Sequence, residues 1–205
     1  MGTETAGVRR GRKFEQVLEG ARSVFLRDGF EGANVDDIAR AAGVSKATLY
    51  SYFPDKRLLF MEMASRQCAL QADEAMLTID PSQPPAAVLP LVARSFLKFV
   101  LSEMGQRIFR ICIAEADRFP DLGRQFYQSG PMTMHSKLVN YLAAARERGE
   151  VDVEDLELAA DQFTELCKAG LWTRCVFGVA EAPGEAEIAR TVDGAVATFL
   201  ARYGC

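Results

Sequence analysis

Apolar residues recur at intervals of three and four along almost the whole chain. Phe14, Val17, Leu18, Ala21, Val24 and Phe25 form one such stripe, the mark of a helix with one buried face. The stripe predicts a helix ending near Asp28-Gly29, where glycine can serve as the C-cap. Asn34 then predicts the N-cap of a short helix, VDDIARAA, with Asp36 and Asp37 in a first turn whose dipole favours anions. Its apolar face is Val35, Ile38, Ala39 and Ala42. Gly43 breaks it, and Ser45 caps a third helix, KATLYSYF. Pro54 and Asp55 open a longer helix through Leu59, Phe60 and Met63 to about Leu77.

The stretch TIDPSQPPAAV separates this fourth helix from the C-terminal part of the chain. Helical runs resume at about 86–102, 106–117, 120–129, 132–148, 154–178 and 185–203, with Gly105, Pro120, Gly130-Pro131, Gly149 and Pro183-Gly184 as punctuation. No alternating run is long enough to suggest a sheet. The pattern predicts an all-α protein. Residues 1–56 form an N-terminal arm and a small three-helix head, and residues 57–205 form a larger helical bundle.

Charge sharpens the division. The whole chain carries a net −4, but residues 1–60 hold 10 Lys+Arg against 8 Asp+Glu, while residues 61–205 hold 14 against 20. A mildly basic head on an acidic body points to a polyanion as the head's partner. The five cysteines are odd in number and show no CxxC spacing, so neither a disulfide framework nor a zinc site is expected. They read as small apolar residues of helices, with a redox-sensing thiol as the alternative. No cofactor motif of the GxGxxG or GxxxxGK[ST] kind occurs, and the single histidine has no nucleophile or ligand cluster beside it in the sequence. The expectation is a cytoplasmic chain without membrane segment, cofactor or catalytic apparatus.

The second and third helices, joined by AAGVS, have the helix-turn-helix pattern. On a 3.6-residue period Leu49, Tyr52 and Phe53 turn inward with Val44. Ser45, Lys46, Thr48 and Ser51 turn outward, with Tyr50 at the edge and Ala47 at a point of close approach. A face this small, polar and singly cationic suits base edges and phosphates in a major groove. Lys56, at the start of the fourth helix, is placed for a phosphate. Arg9, Arg10, Arg12 and Lys13 suit a mobile arm. An ordinary solvated helix face shows the same alternation, so the pattern alone leaves that alternative open.

The run FLRDGFEGANVDDIARAAGVSKATLYSYFPDKRLLF carries more than a pattern. It resembles the DNA-binding domain of TetR-family transcriptional regulators over roughly residues 12 to 60. The resemblance implies a one-component regulator, most often a repressor, that acts as a homodimer on operator DNA and carries a pocket for a small organic effector. By position it assigns DNA contacts to Ser45, Lys46, Ala47, Thr48, Tyr50 and Lys56, with Tyr50 and Lys56 on phosphates. Ala47 stands where many relatives have glycine and Asn34 where they have Thr or Ser, which touches operator sequence rather than DNA binding. FRICIAEADRFPDLGRQFYQSGP, residues 109–131, is similar to the C-terminal region of the AefR-like subgroup.

Within the body, the expected effector pocket takes Phe96, Phe126, Met132, His135, Leu138, Phe163 and Cys167, with His135 as the polar handle. Glu115, Arg118 and Arg174 read as further handles or as surface charges. The last two helical segments, DLELAADQFTELCKAGLWTRCVFG and IARTVDGAVATFLARY, the second with an apolar stripe that includes Val192, Val196, Phe199 and Leu200, are read as a dimer interface of four helices, two from each chain, with packing inside one chain as the alternative. An enzyme and a pure interaction module are the rival functions. Turnover of a small molecule would mark the first, and absence of salt-dependent DNA binding the second.

Overall fold

A computed structural model describes residues 11–77, 79–179 and 183–205. These form eleven helices: α1 (Arg12–Gly32), α2 (Val35–Ala42), α3 (Lys46–Tyr52), α4 (Lys56–Leu77), α5 (Pro85–Val100), α6 (Glu103–Ala116), α7 (Pro120–Ser129), α8 (Pro131–Glu147), α9 (Leu156–Lys168), α10 (Leu171–Val176) and α11 (Glu185–Tyr203). The only strand-like pairing among them is an isolated bridge between Val151 and Gly204. No single described helix is long and apolar enough to cross a membrane.

Local chemistry sets the helix ends in the head. The stripe of α1 stops at Gly29, whose φ of 73° turns the chain before one last turn to Gly32. Asn34 Oδ1 accepts from the Asp37 N–H at 2.8 Å and starts α2. Gly43 closes α2 with φ 64°, a conformation open to glycine at little cost. Ser45 Oγ accepts from the Thr48 N–H at 3.1 Å and starts α3. Helices α1 and α2 cross with Gly20 against Ala42, and a Cβ at Gly20 would lie 2.6 Å from the Ala42 nitrogen. Any larger residue at Gly20 therefore forces the helix-turn-helix off α1.

Two cores organise the molecule. The first joins Phe14, Val17, Phe25, Ile38, Leu49 and Phe53 of the head to Leu59, Phe60 and Met63 of α4 and to Ile108 and Cys112 of α6. Phe25, Phe30 and Phe60 form an aromatic triangle there, with ring centres 5.2 to 6.0 Å apart. The expected boundary at 56/57 thus falls inside a continuous core, and the head is packed onto α4 and α6. The second core fills the bundle, with Leu89, Leu97, Leu142, Phe163, Leu171 and Phe199 among its members.

Three expectations change here. Helix α6 begins at Glu103 rather than 106, because the Ser102 Oγ accepts from the Gly105 N–H at 3.0 Å and caps it. The run expected at 154–178 is two helices, divided where Gly170 takes φ 72°. The stripe assigned to a dimer interface is largely internal. Val192, Val196 and Phe199 lie in the bundle core and Leu200 packs against its edge. Phe199 packs edge-on against Phe163 and tilted against Tyr203, with ring centres 5.2 and 4.9 Å apart. The face of α11 that remains exposed carries Arg190, Asp193, Gly194, Ala197 and Ala201.

Candidate nucleic-acid interface and ligand cavity

The helix-turn-helix presents α3 as the sequence pattern requires. Leu49 and Phe53 are buried, and Tyr52 packs edge-on against Phe14 with ring centres 5.7 Å apart. Ser45, Lys46, Ala47, Tyr50 and Ser51 are exposed, and Thr48 is half-buried. The small hydroxyls are partly engaged within the helix. Ser45 Oγ and Thr48 Oγ1 lie 2.9 Å apart, and Ser51 Oγ donates to the Thr48 carbonyl at 2.7 Å. These bonds hold the outward face in one rotameric arrangement, which lowers the entropy cost of docking. Lys46 pairs with Asp36 of α2, an exposed contact that a phosphate can replace at little cost.

Lys56, the residue expected at a phosphate, has partners inside the head. Its ammonium donates to the carbonyls of Phe30 and Ala33 at 2.7 and 3.0 Å and lies over the Phe30 ring. It clamps the start of α4 to the end of α1, so at least two of its three N–H groups are engaged inside the head. The backbone N–H groups of the first turn of α4 stay beside it. Of the expected arm, Arg9 and Arg10 lie outside the described residues, while Arg12 and Lys13 form the exposed first turn of α1.

A cavity of about 510 Å³ opens in the body between α5, α6, α7, α8 and α9. Phe96, Phe126, Met132 and His135 line it, as the sequence suggested. Leu138, Phe163 and Cys167 do not. All three are buried in the bundle core, where Phe163 meets Phe199 of α11. The side of α9 that meets the cavity is its polar stripe, Asp161, Thr164, Glu165 and Lys168, spaced at three and four.

Sequence reasoning gave α6 no lining residue beyond the handle at Glu115, yet this helix supplies the opposite wall. Gly105, Phe109, Cys112, Ile113 and Ala116 form one helical face there, and their spacing was the available signal. Trp172 of α10 completes that wall, edge-on to Phe109 with ring centres 4.6 Å apart. Ile113 and Tyr127 line the same cavity and stay largely exposed, which puts them at its mouth. Cys68 of α4 and Cys112 of α6 also line it. Burial pushes both thiols up to about 12, so they are protonated and inert at neutral pH.

His135 is nine-tenths buried. Its Nε2 lies 3.2 Å from the Glu157 carbonyl oxygen, which only accepts, so Nε2 carries hydrogen. The same nitrogen lies 3.3 Å from Asp161 Oδ1, while Nδ1 is buried without a hydrogen-bond partner. Arg174 bonds the Gly170 carbonyl and pairs with Glu187, away from the cavity. Arg118 stacks on Phe119 at 5.0 Å, and the Glu115 side chain lies outside the described residues. Among the described residues no three His, Cys, Asp or Glu side chains gather as a metal site.

Comparison with known proteins bears on both regions. The model of the "Bacterial regulatory proteins, tetR family" matches residues 17–63. The model of the "AefR-like transcriptional repressor, C-terminal domain" matches residues 87–205. The HTH-type transcriptional repressor AcnR of Corynebacterium glutamicum is 35% identical over 68 residues, 33% of this chain and 36% of that one. The chain spans about a third of the length of the AcnR repressors it matches. The HTH-type transcriptional regulator TtgR of Pseudomonas putida is 28% identical over 153 residues, 71% of each chain. A TetR-family regulator from Mesorhizobium loti superposes with a TM-score of 0.87 at 28% identity, covering 97% of this chain and 100% of that one. The Flavonoid-responsive Regulator FrrA superposes with 0.74 at 32% identity, covering 95% and 98%.

Proposed function

The chain belongs to the TetR family of bacterial transcriptional regulators, and on that premise we propose that it is an effector-responsive repressor. Two copies bind a roughly palindromic operator through α3, and a small hydrophobic molecule in the body cavity releases them. The protein then works in the cytoplasm, where its operator lies. One observation carries the reading. Cys112 and Phe126 line the cavity and also pack into the core that holds the helix-turn-helix. A molecule that moves those side chains moves the ground on which the head stands.

One further contact and the span of α4 support this coupling. Arg107 of α6 donates to the Leu26 carbonyl at the end of α1. Helix α4 carries Lys56 at the head and Cys68 at the cavity, ~18 Å apart along its axis. A small displacement at one end shifts the two recognition helices off a groove spacing of about 34–36 Å. The aromatic cavity fits an aromatic effector, and FrrA, 32% identical, is named for its response to flavonoids.

Pairing of two copies uses the outward face of α11 in this reading. Gly194, Ala197 and Ala201 leave its backbone open to close approach, and the exposed Phe177 lies on the segment just before it. The test is selection of bound fragments from random DNA, followed by titration over salt. A palindromic motif with affinity falling as salt rises supports the proposal. Failure to enrich any motif at low salt would overturn it.

A further inference from the structure

The cavity is built from two unlike halves. Phe96, Phe99, Phe109, Phe126, Tyr127 and Trp172 supply the aromatic half. The other half is the polar stripe of α9 with His135 beside it. Apolar residues of α9 were available for that wall, yet Phe163 and Cys167 face the bundle core instead. The fold therefore places charged groups against an aromatic chamber.

The balance of those charges gives the wall a sign. Asp161 and Glu165 are carboxylates and Lys168 is the sole Lys or Arg among the lining residues, so the lining carries a net −1. Lys168 is already engaged: its ammonium pairs with Glu165 and lies 5.1 Å from the Trp172 ring centre. Among the described residues Asp161 has the His135 Nε2 at 3.3 Å as its one ionic neighbour. Asp161 and Glu165 keep 68% and 71% of their side chains accessible, so they stand at the rim of the cavity they line. An entering carboxylate would find an ammonium occupied by Glu165 and the repelling carboxylate of Asp161. An entering cation would find the Asp161 carboxylate, with Glu165 held by Lys168, and several ring faces. The contact of Lys168 with Trp172 shows that the aromatic half already receives an ammonium.

We propose that the effector is an aromatic or lipophilic molecule bearing a positively charged nitrogen, its apolar body between Phe96, Phe109 and Trp172 and its cation at Asp161, beside the Glu165–Lys168 pair. The proposal rests on reading the cavity as the effector site and adds the charge of the occupant. The test uses three probes with one shared naphthylbutyl body, ending in an ammonium, a hydroxyl or a carboxylate. Binding to the full chain is measured by calorimetry.

The ammonium probe is expected to bind about tenfold tighter than the hydroxyl probe, and the carboxylate probe weakest. Asp161→Asn should erase the advantage of the ammonium while leaving the hydroxyl probe unchanged. Glu165→Gln, which releases Lys168, should raise affinity for the carboxylate probe. Circular dichroism of both variants checks that each still folds. Equal binding of ammonium and hydroxyl probes, tighter binding of the carboxylate, or no binding of any probe would each overturn the inference. Operator binding is measured separately, so the regulator reading stands or falls on a different result.

Discussion

The Lys56 ammonium donates to the Phe30 carbonyl oxygen at 2.7 Å and lies 4.6 Å from the centre of the Phe30 ring. One residue thereby holds the start of α4 to the end of α1 through a charged hydrogen bond and a ring contact, with a second bond to Ala33. This position was expected to meet a phosphate, and the geometry gives it a prior task.

Lys56→Ala should therefore destabilise the protein by ~1.5–3 kcal/mol, the range for hydrogen bonds to a charged group. Operator affinity should fall with it, while the salt slope changes by less than one phosphate's worth. Urea unfolding and operator titrations at several salt concentrations read both. Unchanged stability together with a full unit lost from the slope would return Lys56 to the phosphate.

The two faces of α11 make opposite predictions. Phe199→Glu places an unpaired charge in the bundle core beside Phe163 and should cost about 4 kcal/mol or more, giving loss of helicity rather than a folded monomer. Ala197→Glu acts on the exposed face, so the protomer should keep its melting transition while the dimer dissociates. Sedimentation combined with circular dichroism separates the cases. A folded, dimeric Ala197→Glu variant would move the pairing surface elsewhere.

The head was legible in the sequence because its signals are local. Asn34, Gly43 and Ser45 act on N–H groups or torsions within three residues, and the helical period alone turns Leu49 inward and Ser45 outward. The body was less legible because its walls depend on which side of each helix meets which neighbour. The stripe of α11 had the right period but gave no sign that its partner was Phe163 of the same chain. On α9 the apolar side seemed the natural lining, yet the larger core claimed it and left Asp161, Thr164, Glu165 and Lys168 to the cavity. Lys56 shows the same limit at one residue, since its partners Phe30 and Ala33 lie more than twenty positions away.

Alkaline pH should unfold the protein through its thiols. Burial raises Cys68, Cys112 and Cys167 from 9.0 to about 12. Below pH 9 the thiols are neutral in both states and the full stability is present. As pH rises through 9 toward 12, the unfolded chain releases protons that the folded chain keeps, so stability falls. The slope approaches roughly 1.4 kcal/mol per thiol for each pH unit. Urea midpoints between pH 8 and 11 measure it, and the triple Ala variant, less stable overall, should show a flatter decline. An equal slope in that variant would place the titration elsewhere.

The last prediction uses the chain's single tryptophan. Trp172 lines the cavity against Phe109, so a molecule that enters displaces water from the indole, and emission should shift to shorter wavelength in a saturable way. Repeating the titration with operator bound tests induction itself. A ligand that weakens DNA binding by some factor must bind the DNA complex more weakly by the same factor, because the two equilibria share one cycle. Equal affinities in the two titrations would mean that the ligand fills the cavity without acting on the head. Ser95→Phe adds a ring inside the cavity and leaves Trp172 as the only indole. It should bind operator normally, lose the emission shift and resist release. An inducible Ser95→Phe variant would place the effector outside this cavity, because the added ring and the effector would need the same space.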